Sequence, residues 1–598
     1  MNPAETKDRL FRNPPGPVLK GALLGILASV LVAGCGRDPS PAEAGPAESS
    51  PPAADLVLLG GKIATMDSER TIADSLAIGG YRIQAVGDRD EIEALVGPET
   101  RVIELDGHFV MPGFIEGHGH FMYLGRAMQV LDLRDARSWD EIVGKVARAA
   151  ETAPPGAWIF GTGWHQEKWD ETPFGSVDGV PSNDGLSAVS PDHPVQLQHA
   201  SGHAAYYNDH ALALAGIDRE TADPPGGTIV RDARGDATGL MRETAQGLLT
   251  PLIEQYEAAL PDSERERVGR ERVRLASETA LRNGVTSFQD AGSSFETIDF
   301  LRRLEAEGAL PVRLYVMVGS ETNESMAERL PDYRMVSEGN DYLTVRAIKR
   351  MIDGALGAHG AWMLEPYADK PDTVGLVVET VESIERTGDL AIQHGFQVNT
   401  HAIGDRANRE TLDLYQRAWR RAGVQDGAGL RWRIEHVQHT DPTDVPRFAG
   451  LGVIASVQTV HATSDGPWTY ARLGVERAER ITHLWRDLID SGATVMNGTD
   501  VPVELIDPIA NIHAAITRQM NNGQSFVAGQ VMTREEALAS YTINAAYGAF
   551  EEDVKGSLEP GKYADIVVLS QDLLTVPEDA IRDTRVEMTI VGGRVRSF

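Results

Sequence analysis

The chain has 598 residues, of which 42% are hydrophobic and 24% charged, so it is neither a disulfide-stapled miniprotein nor a disordered chain. Its 88 acidic and 56 basic residues give a net charge of −32, and without a run of Lys or Arg this charge excludes a nucleic-acid partner. The single cysteine excludes an intramolecular disulfide and a cysteine-based zinc site, so any metal has to be bound by histidines and carboxylates.

The first segment, residues 1–34, is predicted to be an export signal. Basic residues precede an uncharged stretch, GALLGILASVLVAG, which is too short to span a bilayer but has the length of a secretory core. Cys35 follows directly, in a setting that resembles a bacterial lipoprotein box, which implies cleavage before Cys35 and acylation of its thiol. The alternative is a buried free cysteine. Residues 35–54, rich in Pro, Ala, Ser and Glu, are predicted to be a flexible linker.

These features predict a location in the bacterial cell envelope. The protein would be held on the periplasmic or extracellular side of a membrane, and the lipid on Cys35 would be its only membrane contact.

Short alternating strands separated by glycine-containing turns occur at both ends of the remaining chain. LVLLGGKIATM, SLAIGGYRIQAVG and RVIELDGHFVMPG begin within residues 55–111, and YADIVVL and MTIVGGRVRSF lie within residues 554–598. The strand–turn–strand units are typical of β-hairpins. Because distant segments share one hairpin type, residues 55–111 and 554–598 are predicted to form a single small β-sandwich domain.

Between these segments, in residues 112–553, apolar β-rich runs alternate with longer helical patterns. The runs are PGFIEGHGH, GVTSFQDAG, PVRLYVMVG, TVRAIKRMIDG, FQVNTHAIG, LRWRIEHVQ, LGVIASVQ and ATVMNGTD. Such repeated units predict an α/β fold, a (β/α)₈ TIM barrel, with active groups at the carboxyl ends of its strands. The stretch 121–283 is too long for one connection and is predicted to be an insertion over the barrel mouth.

Four histidines and one aspartate fall at the ends of these predicted strands. His118 and His120 lie two residues apart, so their side chains share one face of a strand and can bind one cation together. His401, His436 and Asp500 end three other runs. Because the carboxyl ends of barrel strands meet at one face of the barrel, these side chains are predicted to converge in a metal site.

Longer strings carry a family resemblance. They are PGFIEGHGH, SGHAAYYNDHAL, GLMRETA, GVTSFQDAG, IKRMIDGALG, NTHAIGDRAN, RIEHVQ, SVQTVHATSD, NGTDVPVE and LEPGKYADIVVL, and together they cover nearly all of residues 55–598. In these strings the sequence resembles the metal-dependent amidohydrolase superfamily, most closely the branch that contains N-substituted formamide deformylase. HAIGDRA followed by RIEH is highly specific, whereas PGKYADIVVL marks the superfamily more broadly.

The resemblance implies one or two divalent metal ions, usually zinc. His118 and His120 would bind one position, and His401 and His436 a second. Lys349 matches the lysine that the family carboxylates with CO₂ to bridge two metals; the alternative is an ordinary lysine that extends from a strand end to solvent.

Asp500 matches the family's catalytic base. It would bind the metal weakly and accept the proton of the attacking water, whereas the alternative role is a helix N-cap after a strand.

The same resemblance implies residues of the substrate pocket. His203 and Glu243 come from the predicted insertion, and Gln458, His461 and Asp465 from the loop after the seventh barrel strand. For each of them a structural hydrogen bond and a substrate contact are both open.

Three positions depart from the family pattern. Thr459 replaces a proline, Thr499 replaces a serine, and His359 stands where a Ser-Arg pair is common. None of the three changes removes a predicted ligand, and His359 is a further candidate for the substrate pocket.

Together these features predict an exported metal-dependent hydrolase that cleaves a C–N bond in a small-molecule amide, of N-acyl or N-formyl type, by a metal-activated hydroxide. One alternative is a catalytically silent, surface-binding lipoprotein on the same scaffold, because fold does not fix function. Another is a hydrolase of a cyclic amide or an ester. Retention of all the predicted ligands argues against the silent protein.

Overall fold

The computed structural model describes residues 52–177, 179–338 and 341–597. The predicted export signal, Cys35 and nearly all of the predicted linker lie outside these residues. Within the described part of the chain, no helix is both long enough and apolar enough to cross a membrane.

The described residues contain 25 strands and 18 α-helices. The strands are β1 Leu56–Leu59, β2 Lys62–Ala64, β3 Ile72–Ala73, β4 Ser75–Gly79, β5 Arg82–Gly87, β6 Arg101–Glu104, β7 Phe109–Pro112, β8 Phe114–Gly119, β9 Leu131–Asp132, β10 Ile159–Trp164, β11 Val195–His199, β12 Ala204–Tyr207, β13 Gly227–Arg231, β14 Ala237–Glu243, β15 Val285–Ser293, β16 Arg313–Val318, β17 Met335–Glu338, β18 Leu343–Met351, β19 Gln397–Ala402, β20 Arg433–His436, β21 Ile454–Val457, β22 Val495–Asn497, β23 Ile566–Leu569, β24 Val586–Val591 and β25 Arg594–Ser597. The helices are α1 Arg89–Glu93, α2 Phe121–Ala127, α3 Trp139–Ala150, α4 Asp184–Val189, α5 Asp209–Ala215, α6 Thr250–Ala258, α7 Asp262–Arg282, α8 Phe295–Ala306, α9 Asn323–Arg329, α10 Val381–His394, α11 Asp405–Ala422, α12 Val445–Leu451, α13 Thr459–Leu473, α14 Val475–Ile481, α15 Trp485–Asp490, α16 Pro508–Thr517, α17 Arg534–Ser540 and α18 Ile543–Gly548.

Parallel strands in the order β8-β15-β16-β18-β19-β20-β21-β22 form the central sheet. Each of them lies in one of the apolar runs, and the six residues of β16, for example, are all buried, as expected for a strand covered on both faces. The amide of Asp500, just beyond β22, donates to the carbonyl of His118 in β8 at 2.7 Å and closes the ring. The predicted (β/α)₈ TIM barrel is confirmed.

Two further sheets pack against each other as a β-sandwich. The first has the strand order β5-β4-β1-β6 and the second β25-β24-β23-β7-β2-β3, so the second combines strands from both ends of the chain. Leu58 and Ile78 of the first sheet share one apolar core with Val110 and Ile566 of the second. The sandwich therefore has the two-ended construction that the sequence predicts.

Only some of the predicted hairpins form. β4 pairs with β5, and β24 with β25, both antiparallel. The hairpin predicted for β1 and β2 is wrong, because β1 already has β4 and β6 on its two edges. The hairpin predicted for β6 and β7 is wrong for a similar reason, since β7 lies between β2 and β23. The turn at Gly60, which has a positive φ of 71°, instead carries the chain from one sheet to the other.

A separate sheet lies within the predicted insertion. Its strand order is β13-β14-β12-β11-β10-β9, and all of its strands fall within residues 131–243. Trp164, Leu197 and Tyr206 belong to an apolar core of its own. The helices α2 and α7, at the two ends of the predicted insertion, contribute instead to the core of the barrel.

Candidate active site

The predicted metal ligands lie at the carboxyl ends of barrel strands. His118 is in β8, Lys349 in β18 and His401 in β19, while His436 ends β20 and Asp500 follows β22. His436 and Asp500 have positive φ angles of 79° and 58°, which residues other than glycine seldom adopt. Backbone strain of this kind is concentrated at functional sites, where the surrounding structure holds it in place.

Three of these side chains form a compact ligand cluster. The ligand atoms of His118, His120 and Asp500 all lie within 4.8 Å of one another. Oδ1 of Asp500 is 3.2 Å from Nε2 of His120 and 3.5 Å from Nε2 of His118. Ligands that bind one ion at ~2 Å are separated by distances of this order.

The other predicted ligands lie beside this cluster. The ring centroid of His436 is 4.7 Å from that of His118 and 4.5 Å from that of His401. Nζ of Lys349 is 3.5 Å from Nε2 of His118. The structure therefore brings together all the residues that the sequence predicts as ligands.

Polar partners hold the buried imidazoles in position. Nδ1 of His118 lies 2.6 Å from Oε2 of Glu435, and Nδ1 of His436 lies 2.7 Å from Oε1 of Gln458. In each pair the carboxylate or amide oxygen accepts from Nδ1, which leaves Nε2 available as a ligand. This arrangement, with the second ring nitrogen held by an oxygen, is typical of metal-binding histidines.

The donor set fits a divalent ion. Nε2 of His401 and Oδ1 of Asp500 are buried and have no hydrogen-bond partner among the described residues. Leaving buried polar atoms unpaired costs free energy, so their retention indicates a bound group. Imidazole nitrogen and carboxylate oxygen are ligands that zinc and similar divalent ions take in proteins.

Burial and neighbouring charges set the protonation of the cluster. Burial acts to raise the pKa of Glu435, but its contact with His118 reverses the effect and lowers the pKa to about 2. Burial likewise opposes ionisation of Asp500, yet the nearby His120 and His118 hold its pKa well below the ordinary value. Burial lowers the pKa of the Lys349 amine. Both carboxyl groups are therefore charged, and the lysine loses its proton more readily than one in water.

A cavity of about 360 Å³ opens beside the cluster. Asp500, His401 and His436 line it from the barrel, and His165 and His203 line it from the insertion. A volume of this size accommodates a small molecule and excludes a folded polymer. The site is therefore a small-molecule cavity with potential metal ligands at one end.

Residues 101–596 match the sequence pattern described as the Amidohydrolase family. The chain belongs to the amidohydrolase family. This result confirms the resemblance that the motifs carry.

Individual relatives of this amidohydrolase cover most of its length. It is 34% identical over 540 residues to Protein LONG AFTER FAR-RED 3 of Arabidopsis thaliana, with 87% of this chain and 88% of the relative covered. It is 27% identical over 554 residues to N-substituted formamide deformylase of Arthrobacter pascens, with 91% and 98% covered.

A solved structure of an uncharacterized metal-dependent hydrolase from Pyrococcus horikoshii OT3 is similar in fold. Its TM-score is 0.69 at 28% identity, and the match covers 88% of this chain and 99% of that chain. Together with the ligand cluster, these matches identify this amidohydrolase as a metal-dependent hydrolase.

The predicted pocket residues of the amidohydrolase occupy different positions. His203, His461 and Asp465 line the cavity. Nδ1 of His203 donates to Oε2 of Glu243 at 2.7 Å. Gln458 accepts from Nδ1 of the predicted ligand His436. For Glu243 and Gln458 the structure therefore shows the hydrogen-bond role, and for the other three it shows a place on the cavity wall.

The positions that depart from the family pattern lie outside the ligand cluster. His359 is not among the residues that line the described cavity, because its Nε2 is directed to Oδ1 of Asp369 at 3.1 Å. The amide of Thr499 donates to Oε1 of Glu116 at 2.5 Å. The hydroxyl of Thr459, at the start of α13, donates to a backbone carbonyl of α16 at 2.7 Å.

Sequence reasoning did not single out two carboxylates that support the ligands. Glu435 holds His118, and Oδ1 of Asp353 lies 3.2 Å from Nδ1 of His401. Asp353 also accepts the backbone amide of Ile403 at 3.0 Å. Both carboxylates lie inside strings that carry the family resemblance, RIEH and MIDG. Their position beside a predicted strand end could have indicated that they lie close to the predicted ligands.

His165 and Trp468 also line the cavity and were not predicted. They come from the insertion and from α13, and no motif marks them. Their position depends on how the insertion packs on the barrel, which a local pattern does not encode.

Proposed function

We propose that this amidohydrolase hydrolyses a C–N bond of a small non-peptide amide, of N-acyl or N-formyl type. The observation that carries the proposal is the cluster of His118, His120 and Asp500, of which Asp500 lines a cavity of small-molecule size. The similarity to a protein named N-substituted formamide deformylase supports this bond type. Ester and cyclic amide substrates are outcomes that the experiment below distinguishes.

His118, His120, His401 and His436 would hold the metal, with Asp500 as a weaker ligand. We propose Zn²⁺, because it is the divalent ion most often bound by a set of imidazoles with one carboxylate. A divalent ion in this position would polarise the substrate carbonyl and lower the pKa of water toward ~7.

We propose that Lys349 is carboxylated, and its carbamate would offer oxygen ligands to the divalent metal. Its amine is buried beside Nε2 of His118, and burial lowers its pKa, which favours the neutral, nucleophilic form. Nζ would attack the carbon of CO₂, an N–C bond would form as one C–O π bond breaks, and the proton would leave to solvent. The product carries anionic oxygens, which the amine lacks, and can therefore ligate a divalent cation.

Asp500 would move the proton during the reaction. Its carboxylate is charged and faces the cavity, so it can accept a proton from the attacking water. The water oxygen bonds to the carbonyl carbon, and the C–N bond then breaks as Asp500 delivers the proton to the leaving nitrogen. The products are a carboxylic acid and an amine.

Glu243 would orient His203, whose ring centroid lies 5.3 Å from that of His401. Glu243 itself has a φ of 49°, and a Cβ at Gly354 would stand 2.2 Å from its Oε1, so only glycine leaves room for it there. The hydrogen bond from His203 fixes which edge of the ring faces the cavity.

The test is a metal analysis of the purified protein combined with a substrate screen. The screen contains matched N-formyl and N-acyl amines, the corresponding esters and cyclic amides, and each is measured with holoenzyme and chelated enzyme. We expect metal-dependent release of an amine from the open amides. Exclusive cleavage of esters or cyclic amides would contradict the proposed bond type, and a metal-free chain without hydrolytic activity would favour the silent binding protein.

We further propose that the chain is exported and anchored through acylated Cys35. The support is sequence alone, since residues 1–34 read as a signal and Cys35 follows it. Labelling cells with a fatty-acid analogue should mark the wild-type protein and not the Cys35→Ser variant. Equal labelling of the two would contradict the anchor.

A further inference from the structure

One face of helix α13 forms a wall of the cavity. His461, Ser464, Asp465 and Trp468 all line the cavity, at positions i, i+3, i+4 and i+7 of the helix. This spacing places the four side chains in one row along the helix. Between the first and the last of them the helix rises by ~10 Å, which is the length of a small extended molecule.

The start of α13 is fixed beside the predicted ligands. Gln458, which directly precedes the helix, holds the predicted ligand His436. The amide of Val460 donates to Oδ1 of Asn511 at 3.0 Å. His461 therefore lies at the ligand end of the row, and Trp468 at the far end.

His461 presents an unused hydrogen-bond donor. His461 is 5% exposed, and its Nε2 is buried without a hydrogen-bond partner among the described residues. The amide nitrogen of Gln438 donates to Nδ1 at 3.1 Å, so the neutral ring carries its proton on Nε2. A carbonyl oxygen of a ligand would satisfy this donor.

Asp465 presents an acceptor one turn further along. The hydroxyl of Ser464 donates to Oδ1 of Asp465 over a long distance, 3.4 Å. Burial raises the pKa of Asp465 to about 7 and Glu504 adds to the rise, although His461 and Lys168 oppose it. A ligand that donates a hydrogen bond would therefore stabilise a carboxyl group in such surroundings.

Trp468 supplies a flat apolar surface at the far end. Its ring centroid is 6.3 Å from that of His165, which belongs to the insertion. A Cβ at Gly357 would stand 3.3 Å from the indole, so the loop after β18 packs against the ring without a side chain. Aromatic rings of this kind bind planar groups by stacking or edge contact.

We propose that side chains along α13 contact the substrate and select an extended amide with three features. The oxygen of the scissile carbonyl accepts from Nε2 of His461, a hydrogen-bond donor of the substrate binds Asp465, and a planar ring contacts Trp468. This inference rests on the proposed function, because it assigns the scissile carbonyl to the end of the row that carries the predicted ligands.

The experiment compares three N-formyl amines that share one backbone. The first carries an ammonium group between the formamide and a phenyl ring, the second has a methyl group in place of the ammonium, and the third has a methyl group in place of the ring. For wild-type holoenzyme we expect kcat/KM to favour the first compound over the second by about tenfold or more. Asp465→Ala should abolish that preference, whereas Glu476→Ala, which removes an exposed carboxylate of α14, should keep it.

Trp468→Ala should reduce the kcat/KM preference for the phenyl compound over the compound without a ring. It should leave the preference for the ammonium compound over its methyl analogue unchanged. His461→Ala should lower kcat for all three by about 10²–10³, and His461→Gln, which keeps an N–H donor, should recover part of the loss. Metal content should be that of the wild type in each variant. Unchanged preferences in Asp465→Ala and Trp468→Ala would overturn the assignment.

Binding separates this inference from the proposed function. Dissociation constants of the three compounds are measured by calorimetry with the Asp500→Asn and the Asp500→Asn, Asp465→Ala holoproteins. If no compound is hydrolysed but the ammonium compound binds about tenfold more tightly and loses this advantage without Asp465, the reaction is wrong and the role of α13 stands. Equal binding of the first two compounds, or binding of none, overturns the role of α13.

Discussion

The two ends of the barrel both bury charged and polar side chains, but the hydrogen bonding of these side chains differs between the ends. At the amino ends of the strands the buried arginines Arg313 and Arg433 are paired with carboxylate, amide or backbone carbonyl oxygens. At the carboxyl ends, several buried nitrogen and oxygen atoms have no hydrogen-bond partner among the described residues.

Arg433 shows the arrangement at the amino end. It begins β20 and is 0% exposed, and its Nη1 donates to Oε1 of Gln289 at 2.6 Å. Its Nε donates to the carbonyl of Gly548 at 3.1 Å. Arg313, which begins β16, donates to Asp565 of the β-sandwich at 2.7 Å. These groups link the barrel to the segments that follow it.

His401, Asp500 and His461 show the arrangement at the carboxyl end. Each has a buried ring nitrogen or carboxylate oxygen for which the described residues provide no hydrogen bond of good geometry. Because an unpaired buried polar atom is costly, its retention here indicates a ligand, whereas the paired groups at the other end indicate a role in stability. The comparison predicts that substitutions at the two ends affect different properties.

The largest effect is expected for Asp500→Asn, at the carboxyl end. The amide keeps the size of the side chain but cannot accept the proton, so kcat should fall by about 10²–10⁴. The melting temperature and the histidine-bound metal should be retained, as measured by calorimetry and elemental analysis. Asp262→Asn, at an exposed aspartate of α7, is the matched control. A near wild-type kcat in Asp500→Asn would show that this carboxylate is not the base.

A smaller effect is expected for Glu435→Gln. The variant keeps an oxygen near Nδ1 of His118 but removes the charge that fixes the ring, so metal affinity should fall by about 10–100-fold. Competition with a chelator of known affinity measures this change. Unaltered affinity would mean that Glu435 does not support a ligand.

The smallest effect on activity is expected at the amino end, for Arg433→Met. The substitution removes the hydrogen bond to Oε1 of Gln289 and the guanidinium donors to the carbonyl of Gly548, which keeps its bond from Nε2 of Gln397. The loss of these bonds in a buried position should lower the free energy of unfolding by about 1–3 kcal/mol. kcat per folded molecule should stay within about twofold of the wild type, because the side chain contacts no cavity residue that takes part in the reaction. Denaturant unfolding and steady-state kinetics test the two halves of the prediction.

Arg234→Met is the control for Arg433→Met. Its side chain is 79% exposed and pairs with Asp232 at the surface, where an ion pair contributes little. Equal stability of the two variants, or a large loss of kcat in Arg433→Met alone, would contradict the division between the two ends.

Much of this architecture follows from local patterns in the sequence. Buried parallel strands are continuous apolar runs, so all the barrel strands could be located, and the strand-end rule then placed His401 and Asp500 together. The hairpins predicted at Gly60 and Asp106 are wrong, because strand pairing depends on which edges other strands already occupy.

The cavity wall was less predictable than the ligands. His165 and Trp468 meet through packing of the insertion on the barrel, which leaves no local signal. His359 has a positive φ of 58°, and its ring is directed to Asp369, ten positions along the chain. No motif in the sequence indicates this left-handed backbone conformation. Positions set by tertiary packing therefore need the structure.

Metal content of the purified full-length protein tests the central claim most directly. The account predicts one or two divalent ions per chain in the wild type, and loss of metal in His401→Ala and in the double variant His118→Ala, His120→Ala, while circular dichroism shows that both remain folded. A wild-type protein that binds no divalent ion, or full metal occupancy in the double variant, would contradict it.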